Sequence, residues 1–346
     1  SDFKTPQLLN SNSITCLAED NANNLWIGTA QGLYILNKTT YKIIHFKEYG
    51  IDAQRIENIQ ITSDQSIWIS TYKKIYLLNS KRELIKKYQL KYKSVGISKG
   101  YVLYESRNGE IWLSISGIGM HKYNKQTKEF YLFYPYKERI NAIIEDKQKS
   151  DCYWLASWDK GLIRFLPKTN EEKERFVPQA LPINSIGEIA TTAMGIVQDD
   201  TYNYFWVTSW SDLFVFKRND DLTLQQVDTS DFLPKKHRNL KNIIKDKEGN
   251  LWVTAIDTYN FRVCFEKNKI KRYDLTTLER FKRTPAISFI YKDWEKDVLW
   301  FYQQRLGLCI YNTTTKEIYY YTHLDNQRTD RFWNLVSLVK SPKRNW

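Results

Sequence analysis

The sequence predicts an all-β chain built from repeated four-stranded antiparallel units, and three observations predict it. The first is a tryptophan that recurs in one local context: Trp26, Trp68, Trp112, Trp154, Trp206, Trp252 and Trp300, at intervals of 42 to 52 residues. The second is the pattern inside each interval, four short apolar or aromatic runs separated by polar turns, with no helical periodicity. The third is composition: 24 tyrosines, 16 phenylalanines and 12 tryptophans in 346 residues suit pleated, half-buried surfaces. Four strands at a period near 45 describe one propeller blade, and seven complete units fit between about residues 13 and 323. The expected architecture is a seven-bladed β-propeller of four-stranded antiparallel blades.

Each element follows from its residues. A unit opens on an apolar run such as SITCLAED (13–20) or NIIKD (242–246), the first strand. A polar turn comes next, NANN, DQS, RNGE or DKEGN in different units, made of residues that accept tight backbone. The tryptophan segment is the second strand, where a large flat side chain can fill the wedge between neighbouring blades. A short loop leads to a third apolar run such as GLYILN. Another turn (NKTTYK, NSKREL, NKQTKEF, NTTTKE) leads to the fourth, such as KIIHFK or EIYYYTHL. Residues 1–330 are therefore expected to form the propeller. The remainder, 331–346, reads as the truncated start of a further repeat or of a following domain.

No apolar run approaches 18 residues, so no membrane-spanning helix is expected. Cys16, Cys152, Cys264 and Cys309 show neither CxxC nor His-paired spacing, which argues against a disulfide framework and a zinc site, and favours burial for at least three. His45, His121, His237 and His323 are not paired at ligand spacing, so no metal and no cofactor are expected. The net charge of +13 is interspersed rather than blocked and reads as a solvated lysine-rich surface, with no nucleic acid partner.

The first unit, SITCLAEDNANNLWIGTAQGLYILNKTT, resembles the two-component regulator propeller repeat, which runs roughly I-x-x-I-x-x-D-x-x-G-x-L-W-I-G-T-x-x-G-L. Asp20, Leu25, Trp26, Ile27, Gly28, Thr29, Gly32 and Leu33 match in register, and the sixth unit matches through Asp246, Gly249, Leu251 and Trp252. Other units keep the tryptophan and lose the turn glycine or the Gly-Leu pair. The resemblance implies the periplasmic sensor region of a hybrid two-component system in a glycan-degrading bacterium. It further implies neighbouring propeller and β-sandwich domains, a membrane helix and a histidine kinase beyond this fragment. The implied partners are an oligosaccharide, anionic sugars included, the sister domains, and a homodimer as a further option. Two alternatives stay open: an interaction scaffold without its own ligand, and a sialidase-like hydrolase. The nearest approach to the sialidase Asp-box is ITSDQSIW, one residue out of register. No catalytic residues are assigned, and the fragment is expected not to be an enzyme.

In an antiparallel meander the loops joining second and third strands share a face with the linkers between units. That face gathers Trp158 and Trp210, each four residues beyond a repeat tryptophan, together with Lys160, Lys235, Lys236, Arg238, Tyr259, Arg283 and Arg305 as candidate ligand-binding residues. Exposed aromatic faces stack on sugar rings, and cations hold sulfate or carboxylate groups. The plain alternative is that the tryptophans pack on neighbouring loops and the cations are solvated. The opposite face, holding the first turns, is expected to be acidic through Asp20, Asp64, Asp146, Asp199, Asp200, Asp293 and Asp297.

Overall fold

The computed structural model describes residues 14–40, 42–90, 101–158, 160–167, 176–179, 193–199, 203–209, 213–229, 240–245, 249–255, 261–266, 269–274, 287–292, 298–303, 307–312, 314–315 and 318–321. Twenty-eight strands among them form seven four-stranded antiparallel sheets, each in simple sequence order. The first is β1 (Ile14–Glu19), β2 (Asn24–Thr29), β3 (Gly32–Asn37) and β4 (Ile43–Phe46). The second is β5 (Ile56–Ile61), β6 (Ile67–Thr71), β7 (Lys74–Leu78) and β8 (Leu84–Gln89). The third is β9 (Tyr101–Glu105), β10 (Ile111–Ile115), β11 (Gly119–Asn124) and β12 (Glu129–Pro135). The fourth is β13 (Ile140–Glu145), β14 (Tyr153–Ser157), β15 (Gly161–Phe165) and β16 (Phe176–Gln179). The fifth is β17 (Ala193–Gln198), β18 (Tyr204–Ser209), β19 (Leu213–Arg218) and β20 (Leu224–Gln226). The sixth is β21 (Leu240–Lys245), β22 (Leu251–Ala255), β23 (Phe261–Glu266) and β24 (Lys269–Asp274). The seventh is β25 (Ile287–Lys292), β26 (Val298–Gln303), β27 (Gly307–Asn312) and β28 (Ile318–Tyr321).

The chain divides into two compact units. One holds the first, second and seventh sheets, and the other holds the third to the sixth. In the first unit β1 lies against both β5 and β25, and in the second β13 lies against β9 and β17, and β17 against β21. Neighbouring sheets of a unit thus meet through their first strands, as blades around an axis do. This is an all-β propeller architecture of four-stranded antiparallel blades.

All seven repeat tryptophans sit on the second strand of their sheet and are at most 3% exposed. Each pairs with the penultimate residue of the first strand: Ala18, Gln60, Tyr104, Ile144, Val197, Ile244 and Tyr291 in turn. In the described sheets, Trp26 packs among residues of its own and the second sheet, including Ile56, Ile59 and Tyr76. Trp154 likewise packs with Phe205 of the next sheet, their ring centroids 4.9 Å apart. The wedge between adjacent sheets is where the repeat buries its apolar area, and that explains why one tryptophan recurs. The cysteines follow the same logic: Cys16, Cys152 and Cys264 are buried, and none of the three is in a disulfide.

Among the described residues, the turns before six of the tryptophan strands have a shared backbone requirement. Three residues before the tryptophan, Asn23, Gln65, Gly109, Asp151, Asn203 and Gly249 all have φ between 57° and 84°. Only two are glycine. The left-handed conformation is kept where the glycine of the repeat is lost, mostly by residues whose short polar side chains tolerate it. Gly28 answers a different demand. A Cβ there would stand 2.4 Å from the Cys16 sulfur and 2.8 Å from Ile56, so glycine is what lets the second sheet approach the first.

Of the carboxylates expected to make the opposite face acidic, Asp64 is exposed and Asp20 part-exposed, whereas Asp146 and Asp199 are buried. Asp20 Oδ1 accepts from the backbone N–H groups of Ala22 and Asn24 at 3.0 and 2.9 Å, and Oδ2 accepts from the Trp26 indole at 2.9 Å. Asp146 is fully buried, receiving the Trp154 indole at 2.9 Å, and Asp199, 4% exposed, accepts from Tyr204 N at 2.9 Å and the Trp206 indole at 3.4 Å. Asp64 caps its own turn, accepting from Ser66 N at 3.0 Å and Thr62 Oγ1 at 2.6 Å. These carboxylates close turns and satisfy buried indoles, because a buried N–H without an acceptor is costly. Asp200, Asp293 and Asp297 lie outside the described residues.

Candidate functional site

Backbone hydrogen bonds tie the loops between second and third strands to the linkers between sheets. Trp158 N donates to Arg139 O at 2.8 Å, Tyr136 N to Ile118 O at 3.3 Å, Gly32 N to Gln54 O at 2.9 Å and Leu90 N to Lys73 O at 2.7 Å. Within each unit these loops and linkers therefore lie on the same side of their sheets, as the alternation of an antiparallel meander requires.

Within the second unit this face carries an aromatic–cation cluster. The Arg139 guanidinium stands over the Trp158 ring, 5.0 Å from its centroid, while the same two residues are joined through backbone. Both are half-buried, whereas Lys137 and Lys160 on the flanking loops are exposed. Lys160 is held by its backbone N–H donating to Ser157 Oγ at 3.2 Å, so its ammonium is projected from a fixed turn. On the linker that carries Arg139, the buried Tyr136 bonds Ser114 Oγ, and burial pushes its phenol above its ordinary range, so it stays a neutral structural group. A guanidinium laid on an indole keeps its in-plane N–H groups aligned for a planar anion. Chemically, the loops offer an aromatic ring with a guanidinium over it and two exposed ammoniums on either side.

Of the sequence-derived candidates, Trp158 and Lys160 lie within the described residues, on the loop between β14 and β15. Trp210, Lys235, Lys236, Arg238, Tyr259, Arg283 and Arg305 lie outside the described residues. Two residues escaped the sequence reading. Arg139 sits in a linker and has no repeat signature of its own, and its place over Trp158 comes from a contact across 19 positions of chain. Tyr72 stands four residues after Trp68, the same repeat position as Trp158 and Trp210, and is 47% exposed with the Lys73 ammonium 5.8 Å from its ring. The repeat offset itself was the signal that could have found it.

The two described histidines are structural. His45 stacks on Tyr34 with centroids 4.5 Å apart, and His121 is lowered from its ordinary pKa chiefly by burial, its Nδ1 3.2 Å from Gly119 O. Among the described residues no three His, Cys, Asp or Glu side chains stand close enough together to hold a metal ion. No helix among them is long and apolar enough to cross a membrane.

Solved structures similar to this chain come from proteins of several kinds. Virginiamycin B lyase from Staphylococcus aureus superposes with a TM-score of 0.62 at 16% identity, over 86% of this chain and 94% of the lyase. An essential surface component of the type-IX secretion system of Porphyromonas gingivalis gives 0.64 at 13% identity, over 89% of this chain and 47% of the other. The extracellular domain of a B. thetaiotaomicron protein described as a one component system gives 0.50 at 16% identity, over 91% and 47%. At these identities the likeness is one of fold, and this chain spans about half of the latter two. No curated protein matches the sequence. One family profile does: the two component regulator propeller, over residues 8–31, the stretch that closes on the first tryptophan strand. In its first repeat the chain is similar to the two component regulator propellers, and theirs is the family its sequence resembles.

Proposed function

We propose that this chain is a non-enzymatic, extracytoplasmic sensor propeller of a two-component signalling protein, and that its seven sheets are the blades of one seven-bladed ring. The observation that carries the reading is the regulator-propeller repeat at residues 8–31, echoed by the buried tryptophan in the same register of every sheet. The ligand class we infer is an oligosaccharide, anionic sugars included, bound on the face of Trp158, Arg139 and Lys160. Aromatic surface complements the C–H face of a sugar, and oriented cations complement sulfate or carboxylate. Signal relay would follow from the ligand favouring one packing of this propeller against its sister domains, with the change passed through a membrane helix to a histidine kinase in the periplasmic arrangement. Such a shift requires tighter binding to one arrangement than to the other. Calorimetry of the chain against matched neutral and sulfated oligosaccharides tests the reading. Saturable binding supports it. Absence of heat with every sugar, together with association with a sister domain, would leave an interaction scaffold as the function.

A further inference from the structure

We propose that the outer end of the wedge between the first and second sheets is a docking site for an extended acidic peptide, one whose apolar side chains alternate with carboxylates. Directly paired strand residues share a face of their sheet. Ile35, Tyr76 and Leu78 belong to the core packed between these two sheets. Their partners on the outer strands, Ile44 on β4 and Lys87 and Leu84 on β8, therefore face the same wedge towards its outer end. Ile44 is 41% exposed there and Leu84 38%. Tyr49, in the linker from the first sheet to the second, ties the two walls together. Its hydroxyl donates to Arg82 O at 3.0 Å and accepts from Leu84 N at 3.2 Å, and its ring stands 6.1 Å from Phe46. A φ of 59° is costly for so bulky a residue, and these contacts hold it in place.

Charge selects the occupant. The Arg82 guanidinium stands over the Trp26 ring, 5.4 Å from its centroid, and the Lys87 ammonium over the Tyr76 ring at 5.2 Å. Among the described residues neither cation has a carboxylate partner. Glu83, the one acid in the segment KRELIKKYQ (81–89), accepts instead from Asn79 Nδ2 at 2.7 Å. Cations laid on rings are held in position and keep N–H groups for an anion. The same contacts occupy the aromatic faces, so a sugar ring finds little to stack on, whereas Ile44 and Leu84 suit aliphatic side chains. A lipid surface would need those residues on a crest, and here they face one wedge from two sheets. An extended peptide alternates its side chains, so it can turn apolar residues inward and present carboxylates to Arg82 and Lys87. The net charge of +13 draws an acidic partner in. The surface is smaller than a standard interface, so binding is expected to be weak and reversible.

Fluorescence anisotropy of a labelled synthetic peptide alternating leucine with aspartate, titrated with the chain up to about 100 µM, tests the proposal. The expected result is saturable binding, several-fold weaker when asparagine replaces the aspartates. Leu84→Asp should abolish it with an unchanged urea-unfolding midpoint. Lys87→Glu should weaken it several-fold and improve binding of a peptide alternating leucine with lysine. Lys125→Glu, an exposed cation of the third sheet, should change nothing. A titration without saturation overturns the proposal. So does binding indifferent to Leu84→Asp, or a loss in Lys125→Glu as large as that in Lys87→Glu, which would mark attraction by net charge alone. Capture of the chain by phosphatidylglycerol vesicles, lost in Leu84→Asp while the peptide stays unbound, would replace the peptide with a lipid surface and overturn it as well.

Discussion

A carboxylate in a polar turn and an indole six residues later form the smallest functional pair in this fold. Asp20 serves two backbone donors and the fully buried Trp26 indole at once, so Asp20→Ala should cost roughly 2–3 kcal/mol in urea unfolding, with Asp20→Asn, which keeps an acceptor, costing less. Arg218 makes the pair a buried ion pair at Asp146, Nε to Oδ2 at 2.7 Å with side chains 4% and 0% exposed, and adds a bond to Gln148 at 2.9 Å. Arg218→Ala should therefore destabilise by about 3–5 kcal/mol, since it leaves a charge buried without its counterion. Trp112→Ala should cost a similar 3–5 kcal/mol. Burial and the nearby Asp146 push the Cys152 thiol up to about 12, so little thiolate exists at neutral pH. Alkylation at pH 8 should leave Cys152 unlabelled in the native chain and label it in urea; rapid native labelling would contradict its burial. The tryptophans were legible in the sequence because they recur. The role of the aspartates was not, because an acid in a turn looks solvated until the indole that reaches back to it is located. In the third sheet Ser106 stands in the aspartate's place, and the Trp112 indole turns instead to Tyr153 OH at 3.2 Å.

Strands and turns repeat more faithfully than the residues that build them. Among the described residues, the left-handed position before the tryptophan strands survives as Asn23, Gln65, Asp151 and Asn203 where the glycine of the repeat is gone. Sequence matching registers those units as degraded, while the backbone treats them as equivalent. At Gly109 a Cβ would meet only the Lys125 ammonium, 3.6 Å away. Gly109→Ala should therefore cost about 1–2 kcal/mol from backbone strain alone, read as a shift of the urea midpoint at constant slope. Gly28→Ala should cost about 1–3 kcal/mol through crowding against Cys16 and Ile56, and pairing it with Cys16→Ala should recover part of the loss. The four-strand order of every sheet was legible from the spacing of apolar runs and turns. The bulges were not: six of the seven first strands shift register after their first residue, a feature that follows from how the strand meets its neighbour.

For the molecule as a whole, the period of the tryptophans announced a propeller, and the contacts of first strand with first strand inside each unit bear out that architecture. The candidate site was half legible. Repetition marked Trp158, and alternation of strand direction placed it on one face with Lys160. The guanidinium that covers its ring belongs to a linker, where a cation could not be told from solvated charge before folding joined the two loops. Purified chain should leave fluorogenic glycosides intact, and turnover abolished by a single substitution on the basic face would overturn the sensor reading. The proposed ligand of the Trp158–Arg139 face is an oligosaccharide, anionic sugars included, and calorimetric titration with one sulfated oligosaccharide at low salt and at about 0.1 M salt tests it most directly. Trp158→Ala should weaken binding at both ionic strengths. Lys160→Ala should weaken it chiefly at low salt, because exposed charges more than about 10 Å apart are largely screened near 0.1 M. Affinity unchanged in both variants would contradict the account and remove this face as the site.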